Sequence, residues 1–144
     1  MQKFKLLIFT IFLLGGMSIY SQIGVTTYSI YSLGINTSKS KMISGELKSF
    51  FNQGDNTLFE FSGMYNFKVR DSYQFSTGVG IGVAPFSGSY EFRSLSLPIQ
   101  FEIFPLKDFK QLSFVIELAP EWVIPDGALN IRHLWGIRYT FKKD

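Results

Sequence analysis

The run Leu129-Asn130-Ile131-Arg132-His133-Leu134-Trp135-Gly136-Ile137-Arg138-Tyr139-Thr140-Phe141 decides the fold. In an extended strand, successive side chains point to opposite faces. Leu129, Ile131, His133, Trp135, Ile137, Tyr139 and Phe141 therefore share one face, and Asn130, Arg132, Leu134, Gly136, Arg138 and Thr140 share the other. A strand with two arginines on one side and a broad apolar stripe on the other needs one polar and one apolar surrounding. A wall between lipid and a polar lumen supplies both.

The same period of two recurs upstream, and no stretch after residue 22 repeats apolar residues at helical spacing over ten or more positions. Between Thr57 and Val69, Phe59, Phe61, Tyr65, Phe67 and Val69 oppose Glu60, Ser62, Asn66 and Lys68. Tyr73, Phe75, Val79, Ile81 and Val83 oppose Gln74, Ser76, Gly78, Gly80 and Gly82. Leu95, Leu97, Ile99, Phe101 and Ile103 face away from Ser94, Ser96, Gln100 and Glu102. Leu112, Phe114, Ile116, Leu118 and Trp122 oppose Ser113, Glu117, Ala119 and Glu121, and Ile43, Gly45, Leu47 and Phe51 oppose Ser44, Glu46 and Lys48.

The connections are short and polar: residues 52 to 56, Arg70-Asp71, Ser87-Gly88-Ser89, residues 107 to 110 and Pro125-Asp126-Gly127. Strands joined so tightly must be antiparallel neighbours, because a parallel partner needs a crossover of a dozen or more residues. The expected fold is all-β, an antiparallel up-and-down transmembrane β-barrel. Six runs alternate cleanly. The segment 23 to 36 does not, since Tyr28, Ile30, Tyr31, Leu33 and Ile35 fall on both faces. A bulge or a strand covered on both sides would account for it. Single-chain bacterial barrels have even strand numbers from eight upward, so seven runs require one further strand, expected within residues 23 to 40.

Residues 1 to 22 begin Met1-Gln2-Lys3-Phe4-Lys5, continue as an apolar run to Leu14 and end in small and polar residues, the composition of a cleaved secretory signal peptide. The apolar run is too short to cross a bilayer core of about 30 Å. Removing it from the 144 residues leaves 122 for one domain, residues 23 to 144. It also takes Lys3 and Lys5, so 14 basic and 11 acidic residues become 12 and 11, a net charge of about +1. That balance gives no reason to expect nucleic acid as a partner. The absence of cysteine excludes disulfides, thiolate metal sites and thiol nucleophiles. Charged residues make up 17% of the chain, below the roughly 25% of soluble domains, which favours an outer surface not wholly in water.

A lipocalin-like periplasmic barrel that binds a hydrophobic ligand would carry the same alternation with the faces reversed. The residues on the polar face choose between the two. Glu46, Lys48, Glu60, Lys68, Glu102, Glu117, Glu121, Arg132 and Arg138 stand there among serines and the series Gly78, Gly80, Gly82. Strand glycines are out of place on a soluble surface, but inside a narrow barrel they leave volume for long side chains. Phe59, Phe61, Phe75, Phe101, Phe114, Trp122, Trp135 and Tyr139 would overfill a small lumen and suit acyl chains outside, with Trp and Tyr near the headgroups. Interior charges must pair, so an ionic network is expected, with Arg132 and Arg138 serving Glu102, Glu117 and Glu121.

No catalytic, cofactor or metal site is expected. Gly78-Val79-Gly80-Ile81-Gly82 lacks the spacing of a phosphate-binding loop. His133, the single histidine, lies on the apolar face, and one His without Cys argues against transition metals. Glu117 and Glu121 could form a hydrolase carboxylate pair, but arginines are present to neutralise them.

The leader, the alternating meander and the ending Trp135-Gly136-Ile137-Arg138-Tyr139-Thr140-Phe141 together resemble the small outer-membrane β-barrel proteins of Gram-negative bacteria, including OmpX-like and OmpA-like barrels. The Ser21-Gln22 junction is similar to those of the Bacteroidetes group. The resemblance implies outer-membrane lipid as surroundings and a terminal aromatic, Phe141 here, read by the barrel-assembly machinery. Lys142-Lys143-Asp144 after Phe141 depart from that pattern. The expected role is structural or adhesive within the envelope, with a filled polar interior and no wide pore. An outer-membrane enzyme acting on lipids is the other alternative, with His133 as its test residue.

Overall fold

The computed structural model describes residues 22–37, 39–51, 57–86 and 92–141, excepting the side chains at 68 and 69. All but one residue of the leader, the C-terminal Lys142-Lys143-Asp144 and the connections at 52 to 56 and 87 to 91 lie outside them, as does the Lys68 side chain. Among the described residues nine strands form: β1 (Gly24–Tyr28), β2 (Ser32–Asn36), β3 (Ile43–Phe50), β4 (Leu58–Arg70), β5 (Tyr73–Val83), β6 (Phe92–Ser96), β7 (Ile99–Ile103), β8 (Leu112–Val123) and β9 (Ala128–Thr140). All pairings are antiparallel and join sequence neighbours, apart from the closing pair β1–β9 and the pairings around β6 and β7.

The wall has eight positions, because β6 and β7 are two parts of one strand. β6 pairs Ser96 with Gly80 and Glu121, and β7 pairs Ile99 with Thr77 and Leu118. The register is unchanged across the join on both sides. Pro98 interrupts it only because proline has no N–H to donate. The backbone runs on, with Leu97 N–H donating to Pro120 O at 2.9 Å and Gly78 N–H to Pro98 O at 3.0 Å.

The eighth strand sits where the parity argument needed it. Residues 23 to 36 form a hairpin, β1 and β2, reversing at Ser29-Ile30-Tyr31. The apolar residues change face there because the chain turns and the alternation restarts on β2. Ile30 and Tyr31 adopt positive φ, 64° and 41°, a region that favours Gly or Asn, and this disguised the turn.

Following paired residues once around fixes the geometry. Leu58 leads through Phe50, Ser32, Tyr28, Gly136, Val115 and Glu102 to Gln74, whose neighbour Phe75 pairs with Phe67. The circuit thus returns to β4 one place beyond Phe67, about ten residues from its start. An eight-strand barrel with that stagger has strands tilted by about 40° and an interior just wide enough for side chains. The backbones of β4 and β5 approach closely at Gly63 and Gly78: a Cβ on Gly78 would stand 1.9 Å from Gly63 O, so only glycine fits at 78.

The faces sort cleanly. Apart from Tyr28, Met64, Ala84, Val115, Ala119 and Leu134, the buried non-glycine side chains include Thr26, Lys48, Glu60, Gln100, Glu117 and Arg138. The large exposed side chains include Phe61, Phe67, Ile81, Phe101, Ile116, Leu118, Trp122, Trp135 and Ile137. This barrel carries its charges inside and its apolar residues outside.

Candidate functional site: the buried ionic interior

Two linked clusters fill the lumen. In the first, Lys48 Nζ lies 3.0 Å from Glu60 Oε1 and 2.6 Å from Glu117 Oε2. Arg132 Nη2 reaches Glu60 Oε2 at 2.6 Å and Glu117 Oε1 at 3.4 Å, while its Nη1 lies 3.4 Å from Glu121. In the second, nearer the chain termini, Arg138 Nη1 reaches Glu102 Oε2 at 2.6 Å and Nη2 reaches Glu46 Oε1 at 3.1 Å. Arg138 Nε donates to Thr26 Oγ1 at 2.7 Å, and the Tyr28 hydroxyl donates to Glu46.

Gln100 joins the clusters. Its Nε2 donates at 2.6 Å to both Glu46 Oε2 and Glu117 Oε2. Hydroxyls supply the remaining bonds: Ser62 and Ser96 donate to Glu60, and Ser113 donates to Glu102. Lys48 Nζ also lies 5.8 Å from the Tyr28 ring centroid, and the Arg132 guanidinium 4.9 Å from that of Phe50. Among the described residues, the buried polar atoms without a partner are Asn36 Oδ1, Ser94 Oγ and Arg132 Nε.

Some contacts are local consequences of register. Lys48 and Glu60 are direct cross-strand partners, as are Gln100 and Glu117, and Arg138 and Thr26. Others cross the lumen: Lys48 of β3 to Glu117 of β8, Arg138 of β9 to Glu46 of β3, and Arg132 of β9 to Glu60 of β4. The interior glycines give these side chains room. A Cβ on Gly80 would meet Ser96 Oγ at 2.4 Å and Glu60 Cδ at 3.2 Å, and one on Gly34 would meet the Tyr28 ring at 2.9 Å and Glu46 Oε1 at 3.0 Å.

The structure brings Glu46, Lys48, Glu60, Glu102, Glu117, Glu121, Arg132 and Arg138 into this interior. The pairing differs in part from expectation. Arg132 takes Glu60 as well as Glu117 and Glu121, and Arg138 takes Glu46 with Glu102. Tyr28, Thr26 and Gln100 are participants that charge patterning does not flag. Glu117 and Glu121, weighed above as a carboxylate pair, both contact Arg132. His133 lies on the outer face, away from every interior carboxylate, and no cluster of three or more His, Cys, Asp or Glu suited to a metal occurs among the described residues.

Outside, the aromatics form a belt near the end that carries the termini. Tyr65 meets Phe67 edge-on at 4.7 Å between ring centroids, Phe67 meets Phe75 at 5.7 Å, and Tyr73 meets Phe101 at 5.6 Å. Phe109, Tyr139 and Phe141 continue it at 6.4 and 5.0 Å. Phe114 stacks on Trp135 at 6.3 Å, and Trp135 is mid-strand rather than in the belt. Phe59 is half-buried on the same outer face, and Trp122 is exposed near the opposite rim. Phe141 N–H donates to Ile23 O at 2.8 Å, tying the end of the last strand to the start of the first. No protein-family model, curated protein or solved structure matches this chain.

Proposed function

We propose that this chain is a small integral outer-membrane barrel of a Gram-negative bacterium, with a side-chain-filled lumen and a structural or envelope-interaction role. The observation that carries this reading is the sense of the faces. Lys48, Glu60, Glu117 and Arg138 are fully buried, whereas Ile116, Leu118, Trp122, Trp135 and Ile137 are between 41% and 57% exposed. In water that arrangement would leave a continuous apolar surface around the whole barrel, far beyond the few hundred Å² a soluble monomer tolerates. Against acyl chains the same surface needs no further cover, and a belt of aromatics at one rim matches the interfacial girdle of membrane barrels.

A hydrophobic-ligand binder in the periplasm requires the reverse, an apolar lumen. Ion pairs occupy the lumen here, and each lost pair would strand a charge in a space where neutralisation is costly. Phe141, exposed at the terminal rim directly after β9, is the position suited to recognition by the barrel-assembly machinery. Lipid is the expected surrounding.

Detergent-extracted protein, run on a gel with and without boiling, tests the membrane reading. A closed barrel is expected to migrate differently when unboiled, and carbonate-washed membranes are expected to retain it. Release by carbonate would favour the periplasmic binder.

A further inference from the structure

The closing pair of strands leaves one stretch of backbone without a neighbour. β1 meets β9 from Gly24↔Thr140 to Tyr28↔Gly136 and then turns away, whereas β8 accompanies β9 as far as Ala128. The register of β9 is unbroken, so its residues alternate strictly between two edges. Thr140 N–H donates to Gln111 O at 2.8 Å, toward β8, while Phe141 N–H donates to Ile23 O at 2.8 Å and Ser29 N–H to Trp135 O at 2.7 Å, on the β1 side. Even-numbered residues of β9 thus bond β8, and odd-numbered residues face β1. Beyond Trp135, the N–H and C=O of Leu129, Ile131 and His133 point to a side where no described strand lies.

This edge has two dissimilar flanks. Outside, Leu129 and Ile131 are 75% and 73% exposed. Inside, Arg132 spans from β9 to Glu60 on β4 at 2.6 Å and lies 4.9 Å from the Phe50 ring centroid on β3, so side chains back the gap. The inner cluster is unbalanced, since Lys48 and Arg132 face the three carboxylates of Glu60, Glu117 and Glu121. Glu121 stands opposite Asn130, one strand in from the free edge, and its ion pair with Arg132 is a long 3.4 Å.

We propose that Leu129–His133 of β9 is a docking edge for an extended segment of another protein, which adds as a strand beside β9 with apolar side chains outward and a Lys or Arg inward. Donors and acceptors recur along the edge every second residue, about 6.7 Å apart, and an extended polypeptide repeats both at that interval. A phosphate group offers acceptors only and would leave three carbonyls unmet. The added strand must follow the alternation of the wall. Its residues beside Leu129, Ile131 and His133 continue the apolar outer face, and those beside Asn130 and Arg132 face the surplus carboxylate, which a basic side chain complements. Such an edge gives the proposed envelope-interaction role its surface and rests on that reading.

The probe is a capped heptapeptide alternating valine with lysine, added to the folded, detergent-extracted protein while amide hydrogen exchange is read residue by residue. Without peptide, the amides of Leu129, Ile131 and His133 are expected to exchange freely, and those of Asn130, Arg132 and Leu134 to be protected by β8. Saturating peptide is expected to slow the three odd-numbered amides about tenfold and leave the even-numbered ones unchanged. A fully N-methylated peptide is expected to give no protection, and a valine–glutamate peptide less than the lysine one. Ile131→Pro removes an edge N–H that β8 does not use, and is expected to weaken the protection. Odd-numbered amides already protected in the free protein, or unchanged at the highest soluble peptide concentration, overturn the proposal. Equal slowing by the N-methylated peptide or the glutamate peptide overturns it as well, and equal slowing by phosphatidylglycerol vesicles alone would make the edge a lipid site instead. Should Ile131→Pro fail to fold, the N-methylated peptide tests the same backbone bonds without a variant. Exchange needs only a folded barrel, so its failure leaves the membrane assignment standing, and release by carbonate would remove that assignment without touching the edge.

Discussion

Arg138 shows how much one residue can hold in this lumen. Its guanidinium bonds Glu102 and Glu46, Thr26 and the Tyr28 hydroxyl, and it is fully buried. Replacing it by Leu leaves two carboxylates without their cation in a space with little water. The expected cost is about 3–5 kcal/mol, read as a lower denaturant midpoint in detergent. Arg138→Lys keeps the charge but loses the fork, and is expected to fall between the two. A loss below 1 kcal/mol for Arg138→Leu would mean that water, rather than the side-chain network, solvates Glu46 and Glu102. The glycines argue in the opposite direction, through absence of side chain. Gly80 and Gly34 face Glu60 and Glu46; the rule that strand glycines mark crowded interiors pointed to Gly80 from sequence, whereas Gly34 lies in the segment whose faces the alternation did not resolve.

Among the elements, the β1–β2 hairpin and the Pro98 join are where simple alternation misleads. At the hairpin, Ile30 holds φ at 64° though its branched side chain disfavours that region. Ile30→Gly is expected to stabilise the fold by about 1 kcal/mol, measured as a shift in thermal midpoint. A loss of stability instead would show that the Ile30 side chain contributes more through packing than its backbone loses in strain. At Pro98 the ladder loses one N–H but not its register, since β5 and β8 pair with both β6 and β7 without a shift at the join. The two flanking strands, each 11 or more residues long, hold the broken one in line. Alternation was legible wherever a strand was long. It failed over 23 to 36 because two five-residue strands are joined by Ser29-Ile30-Tyr31, a three-residue turn without Gly, Pro, Asn or Asp to mark the reversal.

In the whole molecule, eight wall positions with a stagger of about ten leave a lumen that the Lys48, Gln100, Arg132 and Arg138 side chains cross from wall to wall. Planar-bilayer recordings with the purified protein are expected to show no steady ion conductance of the size a water-filled channel gives. Stepwise openings of such a size would contradict the filled-lumen reading. The opposite rim is uneven: β1 meets β9 only over Gly136–Thr140, so Ala128–Leu134 of β9 has β8 on one side and no described strand on the other.

The sequence by itself determined the strand period, the antiparallel order and, outside residues 23 to 36, the composition of each face, because these follow from neighbours along the chain; the eighth wall position became visible only in the β1–β2 hairpin. Which carboxylate meets which cation was decided only by closure. Lys48 reaches Glu117 across 69 positions and Arg138 reaches Glu46 across 92, and these distances depend on the stagger at which the last strand meets the first. The descent of Lys39 into the mouth belongs to the same class. Its burial comes from Gln74, Asn66 and Gln100 on strands far along the chain, which no local pattern around residue 39 encodes.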